Sequence, residues 1–467
     1  MSWKRDLAVW TTGVVLVAFL GTLSLWSRGF GAPVMVVAVL AAGAFYWRVL
    51  KPAAGLAVLL LVANLAGHFT FSVGPVAIRA EQVAALAATA YLALTCIRAG
   101  DFSTFKPRAD EWPLLAWIAV SVLSSLLDSP DRGLSAKVLA LTTVCTLGFF
   151  LPRRMLSGSS GSQLLEVVVR WLLIAFATES AYGVLAYLLH VFGPTISIGP
   201  NPASGHLEAY GTLWEQNVFG AFAAAGAVAW VYLGPGRFKK AWIGLAMCLG
   251  GLIGSLTRAA WLASAVVGAL GVLAPGLRRR LNPSHIGAGL LGGLMVAAAV
   301  VIVEKFGTYT VAGAATNRGG GLLLAIFNLT DFIGRLNQTR PVWSDISGHL
   351  ILGRGTASFE ALHLVNGVPQ HVASLPLLVL NDTGLLGLVL FSVFGIAVAA
   401  RAWSGRKNPI VLGLGQMAIV VALANLATET TELMIGWLLI GILLAACDVV
   451  STAAPPGRPA PAEVRST

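Results

Sequence analysis

The chain alternates long apolar runs with short polar punctuation almost from end to end. The runs last roughly twenty residues, the length a helix needs to cross a hydrocarbon layer of about 30 Å. They lack the alternate-residue pattern of a membrane-spanning barrel. The pattern predicts about fourteen helical spans, starting near Leu7, Gly31, Ala53, Gln82, Trp112, Val138, Leu164, Asn217, Ala241, Ala259, Ile286, Leu375, Ile410 and Thr431. The expected fold is an all-α polytopic membrane protein with about 12–14 transmembrane helices. Two polar stretches break the rhythm. One runs from about Gly193 to Gln216. The other, from about Lys305 to Ser374, far exceeds an ordinary connection and reads as one large ordered loop. The chain then divides into transmembrane helices over 1–304, the outer loop over 305–374, C-terminal transmembrane helices over 375–449, and a Pro- and Ala-rich disordered tail over 450–467.

Composition supports this class. The 467 residues are 57% hydrophobic and 11% charged, against about 25% charged in soluble domains. A net charge of +11 would suggest a nucleic-acid partner in a soluble protein. Here the charge sorts by loop, which removes that reading and leaves membrane lipids as the surroundings. With a cytoplasmic N-terminus, the cytoplasmic segments hold 20 of the 31 Lys and Arg residues, among them Lys4, Arg5, Arg98, Arg108, Arg153, Arg154, Arg237, Arg278 and Arg401. Every cytoplasmic loop then carries basic residues, as the positive-inside rule requires. The basic start of the chain with no small-residue cleavage site reads as a retained first helix. Cys96, Cys145, Cys248 and Cys447 lie inside apolar runs without paired spacing, and read as small buried hydrophobes.

One apolar stretch, GGLIGSLTRAAWLASAVVGALG, holds a single arginine, Arg258. A central arginine costs about 2.5–3.5 kcal/mol on insertion scales. The spans on either side each need roughly fifteen to twenty residues, so Arg258 falls at the turn between them, on the outer face with both long polar segments. Arg318, Arg335, Arg340 and Arg354 lie on that face too. The guanidinium fork suits a phosphate. The alternative is that these side chains reach lipid headgroups or pair with Asp331, Asp345 and Glu360. The long loop also holds His349, His363 and His371, and imidazole can serve as general base toward a sugar hydroxyl. His371 directly precedes an apolar helix, which would fix it at the membrane surface; a loop histidine can equally just satisfy a backbone carbonyl. Glu179, Glu215, Glu429 and Glu432 lie in or at the ends of spans, where an ionisable group is a functional candidate or an arginine's counter-ion. No Asp-x-Asp, phosphate-binding Gly-Lys-Ser/Thr or His/Cys metal spacing is present. No metal and no cofactor is therefore expected.

Four segments in order resemble the O-antigen ligase and polymerase superfamily. They are YGTLWEQNVFGAF with Glu215 and Asn217, GSLTRAAWLASAVVGAL with Arg258, TRPVWSDISGHLILGRGTASFEALH with Arg340, and QHVASLPLLVLNDTGLLGLVLF with His371. The resemblance covers roughly residues 205–400. It implies membrane glycosyltransferases of C-type architecture that take glycan from undecaprenyl diphosphate at the outer face. Ligases pass it to lipid A core or another acceptor, and polymerases to another lipid-linked repeat. By matching position, Arg258 and Arg340 correspond to the family's arginines and His371 to its histidine. The segment differs in having Val372 where the family has Asn, and a longer step from His371 to Gly384, which keeps His363 in reserve.

These readings together give metal-independent, inverting glycan transfer. Arg258 and Arg340, with Arg318 or Arg335, would hold the donor diphosphate and offset charge on the leaving group. His371 would act on the acceptor hydroxyl; Glu215 and Asn217 would support the acceptor. Polymerisation of lipid-linked repeats is the first alternative. A lipid or sugar transporter is the second, and would place charges near the midplane. A non-catalytic scaffold of envelope assembly is a third.

Overall fold

The computed structural model describes residues 70–73, 76–157, 161–191, 199–200, 207–209, 211, 213, 215–274, 278–279, 281–306, 340–365 and 367–452. The spans expected near Leu7, Gly31 and Ala53, the candidates Arg318 and Arg335, and the tail after 452 lie outside them; residues 450–452, expected in the tail, are helical.

Every expected span from Gln82 onward falls on a helix. In chain order these are α1 (Ala80–Ala99), α2 (Trp112–Asp128), α3 (Arg132–Met155), α4 (Gly161–Val191), α5 (Gln216–Leu233), α6 (Ala241–Gly254), α7 (Arg258–Leu273) and α8 (Pro283–Phe306). Residues 340–348 form α9. Then come the short α10 (Ser358–Leu362), α11 (Leu375–Gly405), α12 (Pro409–Ala424) and α13 (Met434–Thr452). Six helices among the described residues are long and apolar enough to cross a membrane. Among the described residues, three two-stranded antiparallel ladders lie in the connections: Thr70–Val73 with Val76–Arg79, Gly199–Pro200 with Leu207–Glu208, and Leu364–Val365 with Val368–Pro369.

Helix starts shift by up to six residues from the hydropathy pattern, and two of the shifts have a local reason. Helix α3 starts at Arg132, well before Val138, because the Asp131 carboxylate caps it by accepting the Leu134 N–H at 2.9 Å. Helix α13 starts at Met434, after Thr431, because residues 425–433 are tied into a turn. There Thr428 and Thr430 donate to Asn425 Oδ1 at 3.2 and 3.1 Å, and Glu429 accepts from Thr431.

The bundle is apolar on its outside as well as in its core. Leu123, Leu126, Leu262, Leu294, Val389 and Ile396 point outward, while Ser121, Ser124, Thr142 and Thr146 are buried between helices. In lipid this is the favourable arrangement, since hydrocarbon solvates leucine and neighbouring helices satisfy hydroxyls. Close helix approach needs small residues. A Cβ on Gly244 of α6 would lie 2.2 Å from the Trp230 ring of α5, so only glycine lets these helices meet there. Trp230 in turn donates from Nε1 to the Leu173 carbonyl of α4 at 3.0 Å.

The helix ends sort into two sets. At one end, Arg108, Asp110, Glu111, Arg153, Arg154, Arg401 and Asp448 form a single ion-pair network, with Arg153 bridging to Asp110 at 3.1 Å, Glu111 at 2.9 Å and Asp448 at 3.2 Å. Arg237 pairs with Glu166 at 2.8 Å at the end where α4 begins and α5 closes. The other end gathers Arg79, Glu215, Arg258, Glu360, His371, Glu429 and Glu432, and holds the candidate chemistry.

Candidate functional site

The site is built on a break in α11. Gly384 adopts φ 65° and ψ −167°, which interrupts the helix about ten residues from its start. The turn 350–357 docks into the break and takes up the freed backbone groups. Arg354 N–H donates to Asn381 O at 2.8 Å and Gly355 N–H to Asp382 O at 3.0 Å; Leu385 and Leu386 N–H donate to Leu350 and Ile351 O at 2.8 and 3.2 Å. Gly353 must be glycine for the same reason: with φ 74°, a Cβ there would lie 2.4 Å from the backbone of Asp382 and Thr383. Ser124 and Ser125 of α2 close the joint, donating to Asp382 O at 2.8 Å and accepting the Thr356 N–H at 3.0 Å. The LILGRGTASF and LNDTGLLGL segments, far apart in sequence, are thus one structural unit.

Helix α9 joins the same unit. Val342 and Ile346 of α9, Phe359 of α10, Val372 and Leu380 form one buried apolar cluster. This fixes α9, which carries Arg340, against the segments that carry Glu360 and His371. Arg340 itself is exposed.

His371 is 78% exposed on its side chain, and its Nδ1 lies 3.2 Å from Glu360 Oε1, whose own side chain is only 14% exposed. The Glu360 hydrogen bond raises the His371 pKa above its ordinary value; burial opposes it, and the charges of Glu360, Glu432 and Glu429 add to it. A carboxylate can only accept here, so Nδ1 carries the proton and Nε2 is the basic nitrogen of the neutral ring. This is the arrangement of a histidine base oriented by a carboxylate.

His363 occupies a different setting. Its Nε2 lies 2.8 Å from Asp345 Oδ2, and its ring sits 4.3 Å from that of Phe359. Asp345 also binds Arg354 at 3.0 Å. The pairing alternative raised for Arg354 therefore holds, and His363 is tied into that pair through one ring nitrogen.

Arg258 lies at the first position of α7, after a turn in which Leu256 takes the left-handed φ of 53°. Thr257 fixes this turn against the start of α5 by donating to Gln216 O at 2.8 Å. Asn217 donates to Glu215 Oε1 at 2.6 Å, so these two candidates engage each other. Glu215 is also near enough to Glu429 to matter electrostatically. Burial raises the Glu429 pKa, the Thr431 hydrogen bonds oppose this, and the Glu360 and Glu215 carboxylates push it up. Burial pushes Glu432 up to about 7, the Glu429 charge adds to this, and Arg79 opposes it. The α5 and α7 starts thus share one end of the bundle with Glu360 and His371. Glu179 is buried in α4 beside this face, where a Cβ on Gly211 would lie 2.2 Å from its Oε1.

Sequence reasoning named Glu360 and Asp345 only as possible arginine partners, and passed over Asp382. The available signal was spacing: Asp345 and Glu360 flank the Gly-Arg-Gly turn. Among the described residues, no group of three or more His, Cys, Asp or Glu is placed to hold a metal ion. No protein-family model matches the chain, and no curated protein matches it.

Proposed function

We propose that this protein is a C-type membrane glycosyltransferase that moves a glycan from a polyprenyl-diphosphate donor to a hydroxyl acceptor, in the manner of an O-antigen ligase. Transfer takes place at the outer face of the cytoplasmic membrane, with both termini inside. The observation that carries the reading is the His371–Glu360 pair, 3.2 Å apart, in the unit that α9, with Arg340 on it, also joins.

The chemistry divides by charge. Arg258 sits at a helix N-terminus, where the dipole already favours an anion and a cation contributes nothing to helix stability. Arg258 and Arg340 bind the donor diphosphate and offset the negative charge that grows on it as the anomeric bond breaks. His371 takes the proton of the acceptor hydroxyl at Nε2, and Glu360 stabilises the imidazolium that forms. A single displacement with one base inverts the anomeric carbon. The ligase assignment rests on the order of the four resembling segments. The test is reconstitution of the full chain with an undecaprenyl-diphosphate-linked glycan and a candidate acceptor. Transfer that is lost in His371→Ala supports the reading, and transfer unchanged in that variant overturns it.

A further inference from the structure

The turn that docks into the break of α11 carries apolar side chains on its outside. Leu350 is 49% exposed and Ile351 is 70% exposed. Their carbonyls accept from the N–H groups of Leu385 and Leu386, so turn and helix stand at one level. Leu385 and Leu386 are themselves exposed, and Val389, Val393 and Ile396 continue that apolar surface along α11.

The level can be placed against the membrane. Helix α11 is long and apolar enough to cross it. At its far end Arg401 pairs with Asp448 and Asp110 in the ion-pair network. Charged groups gathered in this way belong at the polar boundary. At 1.5 Å per residue, Leu385 stands about 24 Å along the helix from Arg401. The hydrocarbon layer is about 30 Å thick. Leu385 and the turn bonded to it therefore lie inside the hydrocarbon, and any tilt of α11 carries them farther from the candidate-site surface. The turn is fitted to that depth. Non-helical backbone in lipid must find its partners in protein, and the turn exchanges main-chain bonds with α11 on both sides of Gly384. Between 346 and 359 the one Asp, Glu, Lys or Arg is Arg354, which Asp345 neutralises at 3.0 Å.

We infer that residues 349–355 form a re-entrant turn whose Leu350 and Ile351 insert among the lipid acyl chains of the leaflet at the candidate-site end. The occupant of this surface is phospholipid hydrocarbon, continuous with the lipid along α11. Hydropathy counts these residues as outer loop because their apolar run is too short to span. The turn joins α9, with Arg340, to α10, with Glu360, so its insertion ties both to the membrane. The inference does not depend on the transferase reading.

The experiment uses the full chain in vesicles of phosphatidylethanolamine and phosphatidylglycerol. A nitroxide label is placed on Ile351→Cys, on Val389→Cys as the lipid control and on Leu364→Cys as the water control. All three positions are exposed, and the four native cysteines are buried. Collision of each label with oxygen, which concentrates in hydrocarbon, is compared with collision with a water-soluble nickel chelate. Unfolding midpoints show whether each variant is folded; Leu350→Cys takes the place of Ile351→Cys if that variant is not. The expected result is that the label in the turn favours oxygen, as at Val389, while the label at Leu364 favours the chelate. A turn label that favours the chelate overturns the inference. A turn label shielded from both reagents overturns it as well, since protein and not lipid would then cover the turn.

Discussion

His371 Nδ1 stands 3.2 Å from Glu360 Oε1, an exposed imidazole in the connection before α11 held by a largely buried carboxylate on α10. Glu360 raises the His371 pKa above 6.5. Only the neutral ring accepts a proton, so transfer should fall as pH drops through this raised value, and the acid limb should lie above 6.5. Glu360→Gln removes the negative charge that favours imidazolium, so the limb should move to lower pH while the maximal rate falls by roughly a hundredfold. Glu429 and Glu432 also face His371 and keep part of the shift. Rate profiles of both proteins across the neutral range check this; an unmoved limb would show that Glu360 does not act on the base.

Arg258→Ala and Arg340→Ala should each lower transfer by about thirtyfold or more, the loss of about 2 kcal/mol from one charge-assisted contact. Arg258→Lys should recover only part, because an ammonium lacks the planar fork. Initial rates at saturating acceptor decide it, and wild-type rates in both alanine variants would remove the diphosphate assignment.

Gly384→Ala should destabilise the protein by on the order of 3 kcal/mol. Its φ is 65°, and a Cβ would lie 2.3 Å from Ile351 O. Gly395→Ala, in the same helix with open space around it, should be neutral or stabilising by roughly 0.5–1 kcal/mol. Unfolding midpoints in one detergent compare the two. Equal midpoints would mean that the 350–357 turn does not need the break.

At the opposite end, Glu111 is 0% exposed and binds both Arg153 and Arg154. Glu111→Gln leaves two guanidinium groups short of a counter-charge. The expected loss is about 3–5 kcal/mol, seen as a lower midpoint and poor expression. A midpoint within a degree or two of wild type would argue that Asp110 and Asp448 suffice.

Single cysteines at Leu364 and Lys239 test sidedness, since both positions are exposed and the four native cysteines are buried. In intact cells an impermeant thiol reagent should label the residue 364 variant and spare the residue 239 variant. The reverse pattern would invert the topology.

The sequence by itself determined which segments are helices and which ends they share. Apolar run length is a property of neighbouring residues, so the spans from Gln82 onward could be read directly, and Arg258 could be placed at a turn because two helices of fixed rise must fit around it. The basic residues Arg108, Arg153 and Arg401, sorted to one side by sign alone, meet at one end of the bundle around Asp448. What only tertiary structure decided is which polar groups touch. Glu360 and His371 are joined across a short helix and a hairpin, and Asp345 chooses Arg354 and His363 over more distant arginines. Trp117 and Glu360, which line one cleft, come from helices more than two hundred residues apart. Hydropathy reports the free energy of each residue in lipid or water. A site depends on distances between residues remote in sequence, and those are set by how the helices pack and where Gly384 lets one of them break.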